Sequence, residues 1–202
     1  ILLEENDKTE LLLFNMLAPF KGIELLLDVF PILQHEFPQL QLTIAGEEHP
    51  RFIGYSQSLR EKYGHVAGIH WLGKVADEKV TNLFQRAKIV VLPYRASTGA
   101  SSSIYQAASM GRAIIASDLD EISALVHEEK FCVEFFESGN RESLQNAIRN
   151  LLYSDEKRRA QVLNNFRVIQ GARLENTGHG YLQAFNRALE KRNSVKRIPI
   201  PH

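Results

Sequence analysis

Apolar positions along the chain switch between two spacings. Short, nearly continuous apolar runs at 10–16, 40–45, 69–72, 89–92, 113–116 and 131–136 read as strands, most of them bounded by Gly or Pro. Between them, stretches with apolar residues three and four apart read as helices at 23–37, 51–63, 77–87, 104–108, 121–126 and 140–153. Two more polar stretches, 155–170 and 175–192, carry stripes (Val162, Phe166 and Ile169; Tyr181, Phe185 and Leu189) of the kind that dock a helix onto a core. Pro31 predicts a kink or an early break in the first helix, and Asp77 is placed to cap the third. Six strands alternating with helices, without an internal repeat, imply an α/β domain: a doubly wound parallel sheet with helices on both faces. A single domain over 1–192 is expected, followed by a disordered tail from Asn193.

The segment 89–118 holds the densest candidate chemistry. A buried strand ends at Pro93, a loop rich in small residues follows, and a helix closed by Gly111 leads into the next strand. Strand, small-residue loop and helix N-terminus can cradle an anion, because free backbone N–H groups and the helix dipole point at whatever sits above the sheet. Such turns also occur wherever the chain merely needs small residues. Hydroxyl density favours the functional reading, since Ser97, Thr98, Ser101, Ser102 and Ser103 fall within seven positions.

A parallel sheet binds ligands at the carboxyl ends of its strands, near the point where strand order reverses. The residues expected there are Asn15 to Gly22 with Lys21, then Gly46, Glu47, Glu48 and His49, then Gly73 and Lys74, then Arg95 to Ser103, and finally Ser117, Asp118, Asp120 and Glu121. Lys21 is either a phosphate-binding cation or a solvated surface lysine. Asp118, Asp120 and Glu121 either cap the following helix or, at Glu121, touch a ligand.

Composition narrows the class. Of 202 residues 44% are hydrophobic, and 24 basic side chains balance 24 acidic ones, which leaves no electrostatic footprint for nucleic acid. Cys132 stands alone, so no internal disulfide is possible, and it reads as a buried structural thiol. The histidines are scattered and read as surface or packing groups, and Trp71 reads as core. No run approaches a membrane span and no signal pattern is visible, so a cytoplasmic setting is expected. The chain begins at Ile1, as a piece of a longer polypeptide would.

The ordered series FNMLAPFKGIELLLDVF, LTIAGEE, IHWLGKVADEKVTNLFQRAKIVVLPYR and QAASMGRAIIASD resembles the donor-binding C-terminal half of family 4 glycosyltransferases of the GT-B fold, over roughly 10–190. The resemblance implies a Rossmann-like sheet that holds a nucleoside-diphosphate sugar. Lys21 and Gly22 match the family's lysine–glycine pair, which grips the diphosphate, while its arginine position falls on Met16. Two family glutamates, with seven residues between them, fall on Thr98 and Gln106. Gly99, Ala100, Ser101, Ser102 and Ser103 keep the phosphate loop, and the base is expected against Gly73, Lys74 and Val75.

The activity implied is retaining transfer of a sugar to a glycan, lipid-linked or small-molecule acceptor, as in polysaccharide biosynthesis. Lys21, the loop N–H groups and the helix dipole would meet the charge of the departing diphosphate, and neither a metal nor another cofactor is expected. Acceptor binding would belong to an N-terminal domain absent here, so this chain alone should bind donor without turnover. The full-length protein would be cytoplasmic or at the inner membrane face, although nothing in this half supports membrane contact. A non-catalytic binding or scaffolding domain and a sugar-nucleotide epimerase of the same fold remain alternatives. A dehydrogenase would want G-x-G-x-x-G after the first strand, where the chain reads Asn15-Met16-Leu17-Ala18-Pro19.

Overall fold

The computed structural model describes residues 9–96 and 101–171. Strands β1 (Glu10–Phe14), β2 (Gln41–Ala45), β3 (Ile69–Gly73), β4 (Ile89–Leu92), β5 (Ala113–Ser117) and β6 (Glu134–Phe136) form one sheet in the order β3-β2-β1-β4-β5-β6. Every neighbouring pair is parallel. The chain works outward from β1 to β3, then returns to lay β4 beside β1, so the strand order reverses between β1 and β4.

Among the described residues seven α-helices cover the sheet: α1 (Ile23–Glu36), α2 (Tyr55–Tyr63), α3 (Asp77–Arg86), α4 (Ser102–Ser109), α5 (Asp120–Glu129), α6 (Arg141–Tyr153) and α7 (Asp155–Gly171). Alternate strand residues feed two cores, as a doubly covered sheet requires. Leu11, Leu13, Leu42, Ile44, Val91 and Ile115 pack under α1, α2 and α6. Leu12, Val90, Leu92, Ile114 and Ala116 pack under α3, α4 and α5.

Several expectations are corrected. Helix α1 runs through Pro31 to Glu36 without a break, because Leu26, Leu27, Phe30 and Leu33 are buried on both sides of the proline. Helix α2 begins at Tyr55, four residues later than expected, after a turn through Gly54 at φ +87°. The residue before α3 that occupies the cap position is Ala76; Asp77 lies in the first turn, where its charge meets the helix dipole. Cys132 is exposed rather than buried, in the irregular stretch before β6. Trp71 is only half-buried, on the edge strand β3, with the Arg60 guanidinium 5.5 Å from its ring centroid. The expected helix at 175–192, the tail from Asn193 and Thr98, Gly99 and Ala100 lie outside the described residues.

The three-residue β6 leaves part of β5 without a strand partner, and α7 supplies one through side-chain amides. Buried Gln161 accepts from the Ile114 N–H (2.5 Å) and donates to the Ile114 carbonyl (3.2 Å). One turn on, Asn165 does the same for Cys132, at 2.7 and 2.9 Å.

Candidate functional site

Backbone hydrogen bonds lace the carboxyl ends of three strands together. Asn15 N donates to Ala45 O (3.0 Å), Leu17 N to Glu47 O (2.7 Å), His49 N to Leu17 O (2.9 Å) and Gly46 N to Gly73 O (2.7 Å). A single 3-10 turn, Pro19–Lys21, then delivers Gly22, which ends that turn and starts α1 at φ +66°. A Cβ on Gly22 would lie 1.7 Å from the carbonyl oxygen of Pro93, so the turn sits hard against the loop after β4. Arg95 N donates to Phe20 O at 2.9 Å and closes the same junction from the other side.

Lys21 is half-buried at this junction. Its Nζ lies 4.0 Å from the centroid of the Tyr94 ring and 5.6 Å from that of Phe20. Burial holds the Lys21 ammonium below its usual pKa. The face of an aromatic ring attracts a cation, so Tyr94 fixes where the charge sits.

Tyr94 is also the hub of a neutral network. Its hydroxyl accepts from Asn15 Nδ2 and shares a 3.2 Å hydrogen bond with Ser101 Oγ. Asn15 Nδ2 also donates to Ser103 Oγ (3.0 Å), which in turn donates to the Phe14 carbonyl (3.2 Å). Burial pushes the Tyr94 phenol up. Ser138 Oγ donates to the Tyr94 carbonyl (3.1 Å), and Asp118 Oδ1 accepts from Ser138 N (2.8 Å). Asp118 therefore braces a loop and does not cap α5, whose cap position is Leu119.

The structure brings Lys21, Gly22, Ser101, Ser102 and Ser103 to the point between β1 and β4. The role read for the hydroxyls needs correction, however. Ser101 and Ser103 are buried and spend their side chains on Tyr94 and Asn15, leaving Ser102 exposed at the start of α4. What α4 offers outward is its first-turn N–H groups and its dipole. Gln106 is half-buried one turn further along α4. Gly73 ends β3, with Lys74 and Val75 just after it, two strands and therefore roughly 10 Å from β1. Gly73 is at φ +63°, Lys74 pairs with Glu47 at 2.7 Å, and Val75 leans on the α3–α4 core. Met16, at the family's arginine position, is 47% exposed.

Sequence reasoning missed the parts played by Asn15, Tyr94 and Glu48. An amphipathic Tyr directly after a buried strand at a strand-order reversal was the available signal for Tyr94. Glu48 accepts from Ser56 N (2.6 Å) and Gly54 N (3.0 Å), capping α2 where Gly54 has no side chain to do so. A hydrogen bond from the Ser56 side chain, and then these two backbone bonds, hold its carboxyl below the ordinary glutamate value. The cap is present above the unfolded-state pKa of Glu48 and is lost as pH falls through its lower folded value. Glu48→Ala is expected to speed amide hydrogen exchange at Gly54 and Ser56 while leaving β1 and α4 amides unchanged.

The model of the family described as glycosyl transferases group 1 matches residues 8–154. The chain belongs to that family. Phosphatidyl-myo-inositol mannosyltransferase of Mycobacterium tuberculosis is 30% identical over 122 residues, 60% of this chain and 31% of that protein. The enzyme of the same name from Mycobacterium leprae is 28% identical over 156 residues, 77% of this chain and 40% of that protein. The chain thus spans a third to two fifths of these relatives. Among solved structures, Anabaena HepE in complex with UDP-glucose superposes with a TM-score of 0.71 at 19% identity, over 90% of this chain and 49% of that one. The C-terminal domain of the Francisella tularensis group 1 protein LpcC gives 0.68 at 16% identity, over 82% of this chain and 86% of that domain. The fold is that of one Rossmann-like half of a GT-B glycosyltransferase. Among the described residues no helix is long and apolar enough to cross a membrane.

Proposed function

We propose that this domain binds the nucleoside-diphosphate-sugar donor of a retaining, family 4-like glycosyltransferase, whose acceptor is bound by a domain outside the chain. The observation that carries the reading is Lys21, held on the Tyr94 ring beside the Gly22 turn and across from the α4 N-terminus, in a group 1 domain. HepE, a structural neighbour, binds UDP-glucose, which supports a donor of this class. The base goes to Gly73–Val75 and the ribose toward Gln106. Departure of the diphosphate is the hard step, and Lys21 with the α4 N–H groups and dipole meets the growing charge without an assigned metal. Positioning Thr98, Gly99 and Ala100 beside the sugar is part of the same proposal. The mycobacterial relatives point to a mannosyl donor and a lipid-linked acceptor as the first pair to try.

The test is thermal melting of the chain with UDP, GDP, ADP, TDP and CDP, with and without magnesium. A ligand present at 100 times its Kd adds about 2.7 kcal/mol, or roughly 5–10 °C at this size. One base should give such a shift. Lys21→Ala should weaken that binding about 10- to 100-fold, the worth of a charge-assisted hydrogen bond. A shift that survives Lys21→Ala would remove Lys21 from the site, and no shift with any nucleotide would reject the donor-site reading for this chain.

A non-catalytic binding module is the second reading. Met16, Thr98 and Gln106, where the family places an arginine and two glutamates, favour it. Sugar transfer by the full-length protein decides between the two.

A further inference from the structure

We infer that Arg95 is a second cation for the donor diphosphate, acting from the opposite side of the Gly22 turn to Lys21; the inference rests on the donor-site reading above. Arg95 directly follows Tyr94, and its backbone is tied to the lysine-bearing turn by the 2.9 Å bond to Phe20 O, with Ala96 N donating to the same oxygen at 3.3 Å. Its Cγ lies 3.6 Å from the point a Gly22 Cβ would occupy, so the aliphatic stem crosses bare glycine backbone.

The Arg95 charge is felt at Tyr55, the first residue of α2. Burial and the neighbouring Glu24 both push the Tyr55 hydroxyl up in pKa, and Arg95 acts on it in the opposite sense. Glu24 Oε2 and Tyr55 Oη are buried near each other, and neither completes a hydrogen bond in this geometry. Buried polar atoms without partners are rare and call for an explanation. A guanidinium offers five donors in a fixed fork, enough to serve a phosphate on one edge and these acceptors on another.

The other cations nearby are committed. Lys74 pairs with Glu47 and Arg141 with Asp28, while Lys21 rests on Tyr94. Arg95 is exposed, and among the described residues its guanidinium forms no ion pair or hydrogen bond. A diphosphate brings at least two negative charges to a junction where a single half-buried ammonium waits. The bidentate geometry that Arg makes with phosphate fits the remaining charge.

Isothermal titration of the 202-residue chain and its Arg95→Ala, Arg95→Lys and Lys21→Ala variants tests this, with the five nucleoside diphosphates, the matching monophosphates and inorganic pyrophosphate as probes. Arg95→Ala should weaken the preferred diphosphate about 10-fold or more, leave its monophosphate within about 2-fold, and leave the melting temperature of the free protein unchanged. Arg95→Lys should restore only part of the loss, because an ammonium cannot present a fork. Pyrophosphate, which lacks a base, should show the same dependence on Arg95. Wild-type diphosphate affinity in Arg95→Ala, alongside a loss in Lys21→Ala, would overturn this inference and leave the donor site standing. Equal losses for monophosphate and diphosphate would overturn it too, by making Arg95 a residue of loop structure. If the wild-type chain binds none of the diphosphates, the donor-site reading falls and this inference with it.

Discussion

Gly22→Ala is expected to lose nucleotide binding and to melt far below the wild-type chain. Two penalties add at this position. A non-Gly residue at φ +66° costs about 1–2 kcal/mol in backbone strain. The new methyl would also meet the Pro93 carbonyl oxygen at 1.7 Å, and backbone cannot rotate aside as a side chain would. Either the turn moves off the β4 loop or the loop moves off the sheet, and both paths dismantle the junction that holds Lys21. At about 3 kcal/mol or more in total the melting temperature should fall by roughly 6–12 °C, measurable by calorimetry. Gly54→Ala is the matched control: Gly54 also has positive φ, but a Cβ there meets nothing within 4 Å, so only the strain should register.

Gln161→Leu should destabilise the domain by a different route. It removes two hydrogen bonds and puts apolar carbon against the Ile114 N–H and carbonyl, neither of which β6 reaches. Each buried backbone group left without a partner costs about 1–3 kcal/mol, so a loss of roughly 2–5 kcal/mol is expected. Hydrogen exchange would localise it: the Ile114 amide should exchange much faster than its β5 neighbour Ile115, whose position is paired with β6. Uniform acceleration across the sheet would mean that α7 stabilises by packing alone and that the amide clamp is incidental.

The sheet was legible because its strands are apolar on both faces: 89–92 and 113–116 could only be buried, and the alternation with helices left little choice of topology. Boundaries failed where backbone geometry overrode pattern. Pro31 did not break α1 because the helix is buried along two sides, and helix α2 started late because Gly54 adopts a turn. Cys132 looked buried from its neighbours Phe131 and Val133, but β6 begins only at Glu134, so the stretch holding the cysteine never joins the ladder. At the site, Lys21 and Gly22 were readable from a local pair. The network that holds them was not, since Tyr94 and Asn15 are 79 positions apart and Asn15 and Ser103 are 88. The serines were noticed for their hydroxyls, yet two of the three that are described turn those hydroxyls inward. Composition can count a side chain but not aim it.

The floor beneath Lys21 is made of an amide, a phenol and two serine hydroxyls, with no carboxylate and no imidazole among them. Burial raises the pKa of the phenol and so keeps it neutral, and the other three groups do not ionise in water. This platform therefore keeps one protonation state, and one shape, from mildly acid to mildly alkaline solution. A change in donor affinity across that range therefore comes from groups other than this platform, the lysine ammonium and the ligand's own phosphates among them.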